Sequence, residues 1–416
     1  MAHDFLWLCV RGQAPAGVMT NNNNTSTAVV AEPGAKPDDR PVIPVMMPWL
    51  GAEEADAAAE AVRSGWVAQG PRVAEFEAAF AAHLGAGHAV ATSSCTTALH
   101  LAMVLAGLGP GDEVVVPSLS FIATANAPRY VGATPVFADV DQSTQNLTAE
   151  TVEAVLTAAT RAVIVVHQGG APAEVDVIRR LCRAREIDLI EDAACALGST
   201  YGGRPVGADA EMATYSFHPR KLVTTGEGGM FLCDSAKGSD RARRLREHGM
   251  SVSAAERHRS GAPVLEHYLE TGFNFRMTDV QAAIGLVQLG RLPAMVERRR
   301  LLAQRYSEAF GDLPGVVTAS DPPYGTSNFQ SYWLLLPPDA PIGRNELLEA
   351  LSREGISARR GIMAAHREPA FAGHPHVPLP VTERLTSDSL ILPLFHAMSF
   401  EDQDRVIDAV RRQLRG

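Results

Sequence analysis

Lys221 is one of only three lysines in a chain that otherwise relies on arginine; the others are Lys36 and Lys237. It lies in the motif Ser216-Phe217-His218-Pro219-Arg220-Lys221-Leu222-Val223-Thr224-Thr225-Gly226-Glu227-Gly228-Gly229. A lysine amine can deprotonate and form an imine with a carbonyl, whereas a guanidinium stays charged. Three other groups precede it, each expected at the end of a strand. Thr92-Ser93-Ser94-Cys95-Thr96-Thr97 offers hydroxyls and helix-opening N–H groups to an anion. Phe121 offers a flat face, and Glu191-Asp192-Ala193-Ala194 places acids after an apolar run.

Each group alone has a plainer reading: a Ser/Thr cap, a core aromatic, an N-capping acid, a surface lysine beside a glycine turn. Together they match the requirements of pyridoxal 5'-phosphate. That cofactor needs donors for its phosphate, an aromatic against its ring, an acid at its ring nitrogen and a lysine at its aldehyde. Asp192 would keep the ring cationic, so that it draws electrons from the substrate carbon. Lys221 would hold the aldehyde and then move the proton, which predicts a lowered lysine pKa. No G-x-x-x-x-G-K-[ST] loop is present, which argues against an ATPase.

The elements around these residues alternate strand and helix. Short apolar runs at 88–92, 112–116, 134–137, 162–166 and 188–190 are separated by helical patterns. This predicts an α/β fold with a mostly parallel central sheet flanked by helices. A long helical segment is expected from about Thr278 to Phe310, broken near Gly290-Arg291-Leu292-Pro293. Residues 1–40 read as a disordered tail, 41–312 as a large cofactor-binding domain, and 313–416 as a smaller α+β domain. Tyr332, Arg359, Arg360 and His366 stay outside the expected site, since a solvated basic turn explains the arginines at least as well.

The 416 residues carry a formal net charge of −10, which gives no reason to expect nucleic acid or an anionic membrane as partner. No apolar run reaches the length of a membrane span. Five scattered cysteines without a C-x-x-C pair argue against a disulfide framework or zinc site, and fit a reducing cytoplasm.

The chain resembles the DegT/StrS-type nucleotide-sugar aminotransferases, which have the aspartate-aminotransferase fold (fold type I). The motifs that carry the resemblance span roughly 42–414. They include Pro48-Trp49-Leu50-Gly51, Ser64-Gly65-Trp66-Val67-Ala68-Gln69-Gly70-Pro71, Thr96-Thr97-Ala98-Leu99-His100-Leu101, Phe121-Ile122-Ala123-Thr124-Ala125-Asn126, Glu191-Asp192-Ala193-Ala194 and Gly272-Phe273-Asn274-Phe275-Arg276-Met277-Thr278. The resemblance implies that Lys221 and Asp192 are catalytic, with Phe121 stacked on the ring. It also implies that the Cys95 N–H, Thr96 and Ser216 hold the phosphate. Asn274 would reach the phosphate of a second subunit, making a homodimer with shared sites. Cys195 stands near the cofactor where the family usually has Gln or His, and a thiol is a weak donor.

The implied activity is transfer of an amino group from an amino acid, glutamate first, to a nucleotide-linked 4-keto-6-deoxyhexose, dTDP first. The cofactor would alternate with its pyridoxamine 5'-phosphate form. A 3-keto sugar or a cyclitol is the alternative acceptor. A sugar dehydratase on this fold carries histidine in place of Lys221, and a non-catalytic cofactor-binding regulator would not need the intact Lys221, Asp192 and Ser216.

Overall fold

β-branched and other apolar runs pair into the central sheet of this computed structural model, which describes residues 41–253 and 265–415. The expected tail, residues 1–40, lies outside the described residues. Seven strands form the sheet: β1 (His88–Thr92), β2 (Glu113–Pro117), β3 (Thr134–Ala138), β4 (Thr160–Val166), β5 (Asp188–Asp192), β8 (Met212–Ser216) and β9 (Gly229–Cys233). Their order is β1-β9-β8-β5-β4-β2-β3, and β9 alone runs antiparallel to its neighbours. The interior strand β4 is apolar from Ala162 to Val166 and buried there, as a strand covered on both faces must be.

Two small sheets complete the described strands. One joins β6 (Thr200–Tyr201), β7 (Arg204–Pro205) and β11 (Gly325–Thr326). The other joins β10 (Val317–Thr318), β12 (Tyr332–Leu335), β14 (Ser389–Leu392) and β13 (Arg359–Arg360), in that order. Helices in the first part are α1 (Ala52–Arg63), α2 (Pro71–Leu84), α3 (Cys95–Leu105), α4 (Ile122–Tyr130), α5 (Ala149–Glu153), α6 (Val175–Arg183) and α7 (Ala236–Arg246). Then follow α8 (Asp279–Phe310), α9 (Arg344–Arg353), α10 (Pro380–Asp388) and α11 (Phe400–Arg415).

The expected break in the long helix does not occur: α8 runs 32 residues with Pro293 inside it. Proline removes one backbone hydrogen bond and usually kinks or ends a helix. Here Leu289, Leu292 and Met295 are buried on either side of it, in a cluster with Phe76, Phe80 and Phe217. Tertiary packing therefore outweighs the local signal. Farther along α8, Leu302, Tyr306 and Phe310 enter a second cluster with Val163 and Val165 of β4 and Tyr332, Leu334 and Leu335 of β12. One helix thus carries core for both the central sheet and the C-terminal strands.

Candidate active site

The carboxyl ends of β1, β5 and β8 bring the expected groups to one edge of the sheet. Across β8, β9 and β1, Ser216 pairs with Gly229, and Gly229 pairs with Thr92. The register puts the Ser216 hydroxyl level with the start of α3, two strands away. Gly229 is needed between them, because a Cβ there would lie 2.5 Å from the Cys95 nitrogen. The Ser94 side chain caps α3 by accepting from the Thr97 N–H. The N–H groups of Cys95 and Thr96, in the first turn, have no intrahelical acceptor and stay open to an anion.

Lys221 follows β8 in a loop closed by the Lys221 N–H to His218 carbonyl bond, 2.8 Å, and the Thr225 N–H to Phe217 carbonyl bond, 3.0 Å. Its Nζ stands 3.0 Å from Cys195 Sγ. Asp192 ends β5 and is 5% exposed. Thr124 donates its hydroxyl to Asp192 Oδ2 at 3.0 Å, and the Ala194 N–H donates to Oδ1 at 3.1 Å.

Burial is the main force on the Asp192 carboxyl and raises its pKa, against the two hydrogen bonds and the charge of Lys221. Burial also pulls on the Lys221 ammonium, downward. The Cys195 contact, then Cys95 and Asp192, outweigh it, so the Lys221 pKa is raised. This corrects the expected lowering for the protein without cofactor, because the lysine has three electron-rich neighbours and the sequence does not reveal their closeness. The Cys95 thiol, buried close to Asp192, is pushed well up and stays protonated, with Thr214 beside it.

Phe121, the residue before α4, is 69% exposed although aromatic. Glu191, the other acid of the pair, faces away from the site. It accepts from Arg179 at 2.8 Å and lies 3.2 Å from His167 Nε2. His167 Nδ1 accepts from the Ala173 N–H at 3.0 Å, so Nε2 is the donor to Glu191. Asn274 is exposed, and its neighbour Phe275 accepts from the Ser93 N–H at 2.8 Å.

The C-terminal residues divide. Tyr332 is core, with its hydroxyl 2.9 Å from Ser307 Oγ. His366 Nδ1 lies 2.7 Å from Ser118 Oγ, and Arg360 pairs with Glu368 at 3.6 Å. Arg359 is exposed on β13 but lies within electrostatic reach of Cys195 and Arg220, and the protein around it lowers its pKa by partial desolvation. Thr124, Asn328 and Gln330 also serve the site; Thr124 lies inside the motif that begins at Phe121, which assigns it no role, and no motif pointed to Asn328 or Gln330. Helix α4 brings Thr124 in beside Phe121, and the segment before β12 brings the other two.

The donor set fits pyridoxal phosphate. Open N–H groups with a serine hydroxyl suit a phosphate, a bared aromatic suits a ring face, and a buried carboxylate with a raised pKa suits a ring N–H cation. The lysine beside them is an amine that could hold its aldehyde.

Residues 48–411 match the DegT/DnrJ/EryC1/StrS aminotransferase family. The chain is 38% identical over 379 residues to the spore coat polysaccharide biosynthesis protein SpsC of Bacillus subtilis (strain 168), covering 90% of this chain and 97% of SpsC. It is similar in structure to the aminotransferase TlmJ of Streptoalloteichus hindustanus, at 38% identity and a TM-score of 0.83, over 90% of this chain and 99% of TlmJ. DesI, solved in the presence of its TDP-sugar product, shares 34% identity and a TM-score of 0.81 over 90% of this chain and 93% of its own. The chain belongs to the DegT/DnrJ/EryC1/StrS family of pyridoxal-phosphate-dependent sugar aminotransferases.

Proposed function

We propose that this aminotransferase transfers the amino group of an amino acid, glutamate first, to the keto carbon of a nucleotide-linked 4-keto-6-deoxyhexose. The observation that carries the reading is the cluster of Lys221, Cys195, Cys95 and Asp192, interacting at one sheet edge within a chain of this family. The TDP-sugar product of DesI supports dTDP as the nucleotide, and the role of SpsC in spore coat polysaccharide supports amino-sugar synthesis.

When bound, pyridoxal phosphate supplies the carbonyl that takes up the amino group and the ring that accepts the electron pair. The chain does the rest. Lys221 Nζ holds the cofactor at rest and moves the proton between donor or sugar carbon and ring system. Asp192, braced by Thr124 and Ala194, holds a proton at the ring nitrogen. Phe121 would cover the ring, and the Cys95 and Thr96 N–H groups with Ser216 would hold the phosphate. Cys195 stands beside the lysine amine. Asn274 completes the phosphate site of a partner subunit in a cytoplasmic homodimer.

The test is incubation with glutamate and a panel of keto-sugar nucleotides, followed by product mass and regiochemistry. Amination at carbon 4 of a dTDP-6-deoxyhexose is expected. Amination of a 3-keto sugar or a free cyclitol instead would replace the acceptor assigned here. Lys221→Ala should abolish the half-reaction with glutamate, and near-normal turnover by that variant would remove the lysine from the mechanism.

A further inference from the structure

The loops that carry Lys221 and Cys195 are held by two side-chain amides from one short segment, Ser327-Asn328-Phe329-Gln330. Gln330 grips the lysine loop on both sides of Lys221. Its Nε2 donates to the Arg220 carbonyl at 2.5 Å, and its Oε1 accepts from the Leu222 N–H at 3.1 Å. Asn328 grips the other loop, its Nδ2 donating to the carbonyls of Cys195 at 2.9 Å and Leu197 at 2.8 Å. Asn328 Oδ1 accepts from the Gln330 N–H at 2.7 Å, which ties one grip to the other.

The segment is itself rigidly held. Phe329 between the amides has φ +49°, a left-handed backbone that an aromatic residue adopts only under constraint. Ser199 Oγ accepts from the Asn328 N–H at 3.0 Å. The buried guanidinium of Arg299, on α8, donates to the carbonyls of Phe329 at 2.8 Å, Gln330 at 2.8 Å and Leu394 at 2.9 Å. Gly170 leaves room for the arrangement, since a Cβ there would come within 2.0 Å of Asn328 Oδ1.

We propose that Asn328 and Gln330 are positioning residues for Lys221: together they fix the distance between its amine and the Cys195 sulfur. Neither residue touches the reacting atoms. A backbone held on both sides of Lys221 leaves only the side chain's own torsions free, and the second amide fixes the partner those torsions meet. The charged or titratable groups facing Lys221 are Cys195, Cys95 and Asp192, with Arg359 in turn beside Cys195. Loosening either loop changes the contact with Cys195 first. The proposal rests on Lys221 as the working lysine and is independent of the acceptor sugar.

The test uses the full-length protein with Gln330→Ala and Gln330→Glu. Glutamate keeps the acceptor for the Leu222 N–H and loses the donor to the Arg220 carbonyl, so it perturbs the fold less. Two readouts are taken: kcat and KM for the glutamate half-reaction, and the pH at which Lys221 of the cofactor-free protein is half modified by an amine reagent, read by peptide mass. Both variants are expected to lose kcat by roughly tenfold or more, with KM within about threefold, and Gln330→Ala to move the labelling midpoint to lower pH. The new carboxylate of Gln330→Glu acts on the lysine's charge in the opposite sense, so if Gln330→Ala does not fold, Gln330→Glu carries the kcat expectation. A variant with a lowered Tm but unchanged kcat and labelling midpoint would reduce the segment to scaffold and overturn the proposal. Labelling that shifts while Lys221→Ala remains active would instead strike at the assignment of Lys221.

Discussion

Lys221 Nζ and Cys195 Sγ are 3.0 Å apart, in a group of half-buried ionisable side chains that backs onto the buried Asp192. Burial works to strip the lysine of its proton, and the sulfur works to keep it. The second influence prevails, with smaller contributions in the same direction from Cys95 and Asp192. Cys195→Ala should therefore lower the Lys221 pKa in the cofactor-free protein. With three lysines in the chain, 13C-methylated protein gives few enough signals to follow Lys221 through a pH titration. Cys195→Ser, which keeps a polar partner, should shift it less. A midpoint unchanged or higher in Cys195→Ala would show that the sulfur does not set the lysine's charge.

Asp192 makes the opposite kind of prediction. Its folded-state pKa is raised, so the fold favours the protonated carboxyl. The stabilising contribution is complete below the ordinary aspartate value of about 3.9 and is lost as pH rises through the raised folded value. Well above the ordinary aspartate value the cofactor-free protein thus bears a stability cost at this site. Asp192→Asn keeps acceptor capacity for Thr124 while removing the charge. Its cofactor-free Tm at pH 8 should equal or exceed that of the parent by up to a few degrees, whereas transamination should fall about 100-fold or more. A clearly lower Tm at pH 8 would mean that the carboxylate is stabilised by its surroundings, contrary to the direction found.

Which parts of this site the sequence exposes has a physical basis. Phe121 follows the β-branched run 114–116 and Asp192 the short run 188–190, where local pattern predicts a strand end, while Lys221 stands out by its rarity and by the glycine turn that follows it. The grips of Asn328 and Gln330 are invisible there: Asn328 meets Cys195 across 133 positions, and Gln330 meets Leu222 across 108. Hydrogen bonds from side-chain amides to distant carbonyls leave no periodicity. The reversed direction of β9 is equally hidden, because alternation reports burial and not polarity. Pro293 shows the converse, a strong local stop overruled by Leu289, Leu292 and Met295 packing on the phenylalanines of α2.

Phe121 is a large apolar side chain left 69% exposed at the sheet edge. A residue that packs on a ligand and not on the core contributes little to folding. Phe121→Ala should change cofactor-free stability by no more than about 0.5 kcal/mol. Retention of pyridoxal phosphate should weaken roughly 3- to 10-fold, the worth of one aromatic stacking contact. Equilibrium dialysis against the cofactor, beside a thermal melt of the stripped protein, separates the two effects. Loss of stability with cofactor affinity intact would return Phe121 to the core.

Asn274 is exposed in the single chain, while its neighbour Phe275 is fastened to Ser93 beside the start of α3. If Asn274 serves the phosphate of the partner subunit, two inactive variants can repair each other. In a mixed dimer of Lys221→Ala and Asn274→Ala chains, one site takes its lysine from the second chain and its asparagine from the first, and that site is whole. Random reassociation gives mixed dimers for half the population, so about a quarter of sites should regain activity. The same mixture yields none if Asn274 acts within its own chain, since every site then lacks either the lysine or the asparagine. Unfolding and refolding the two variants together, against each refolded alone, distinguishes a shared site from a self-contained one without reference to the acceptor sugar.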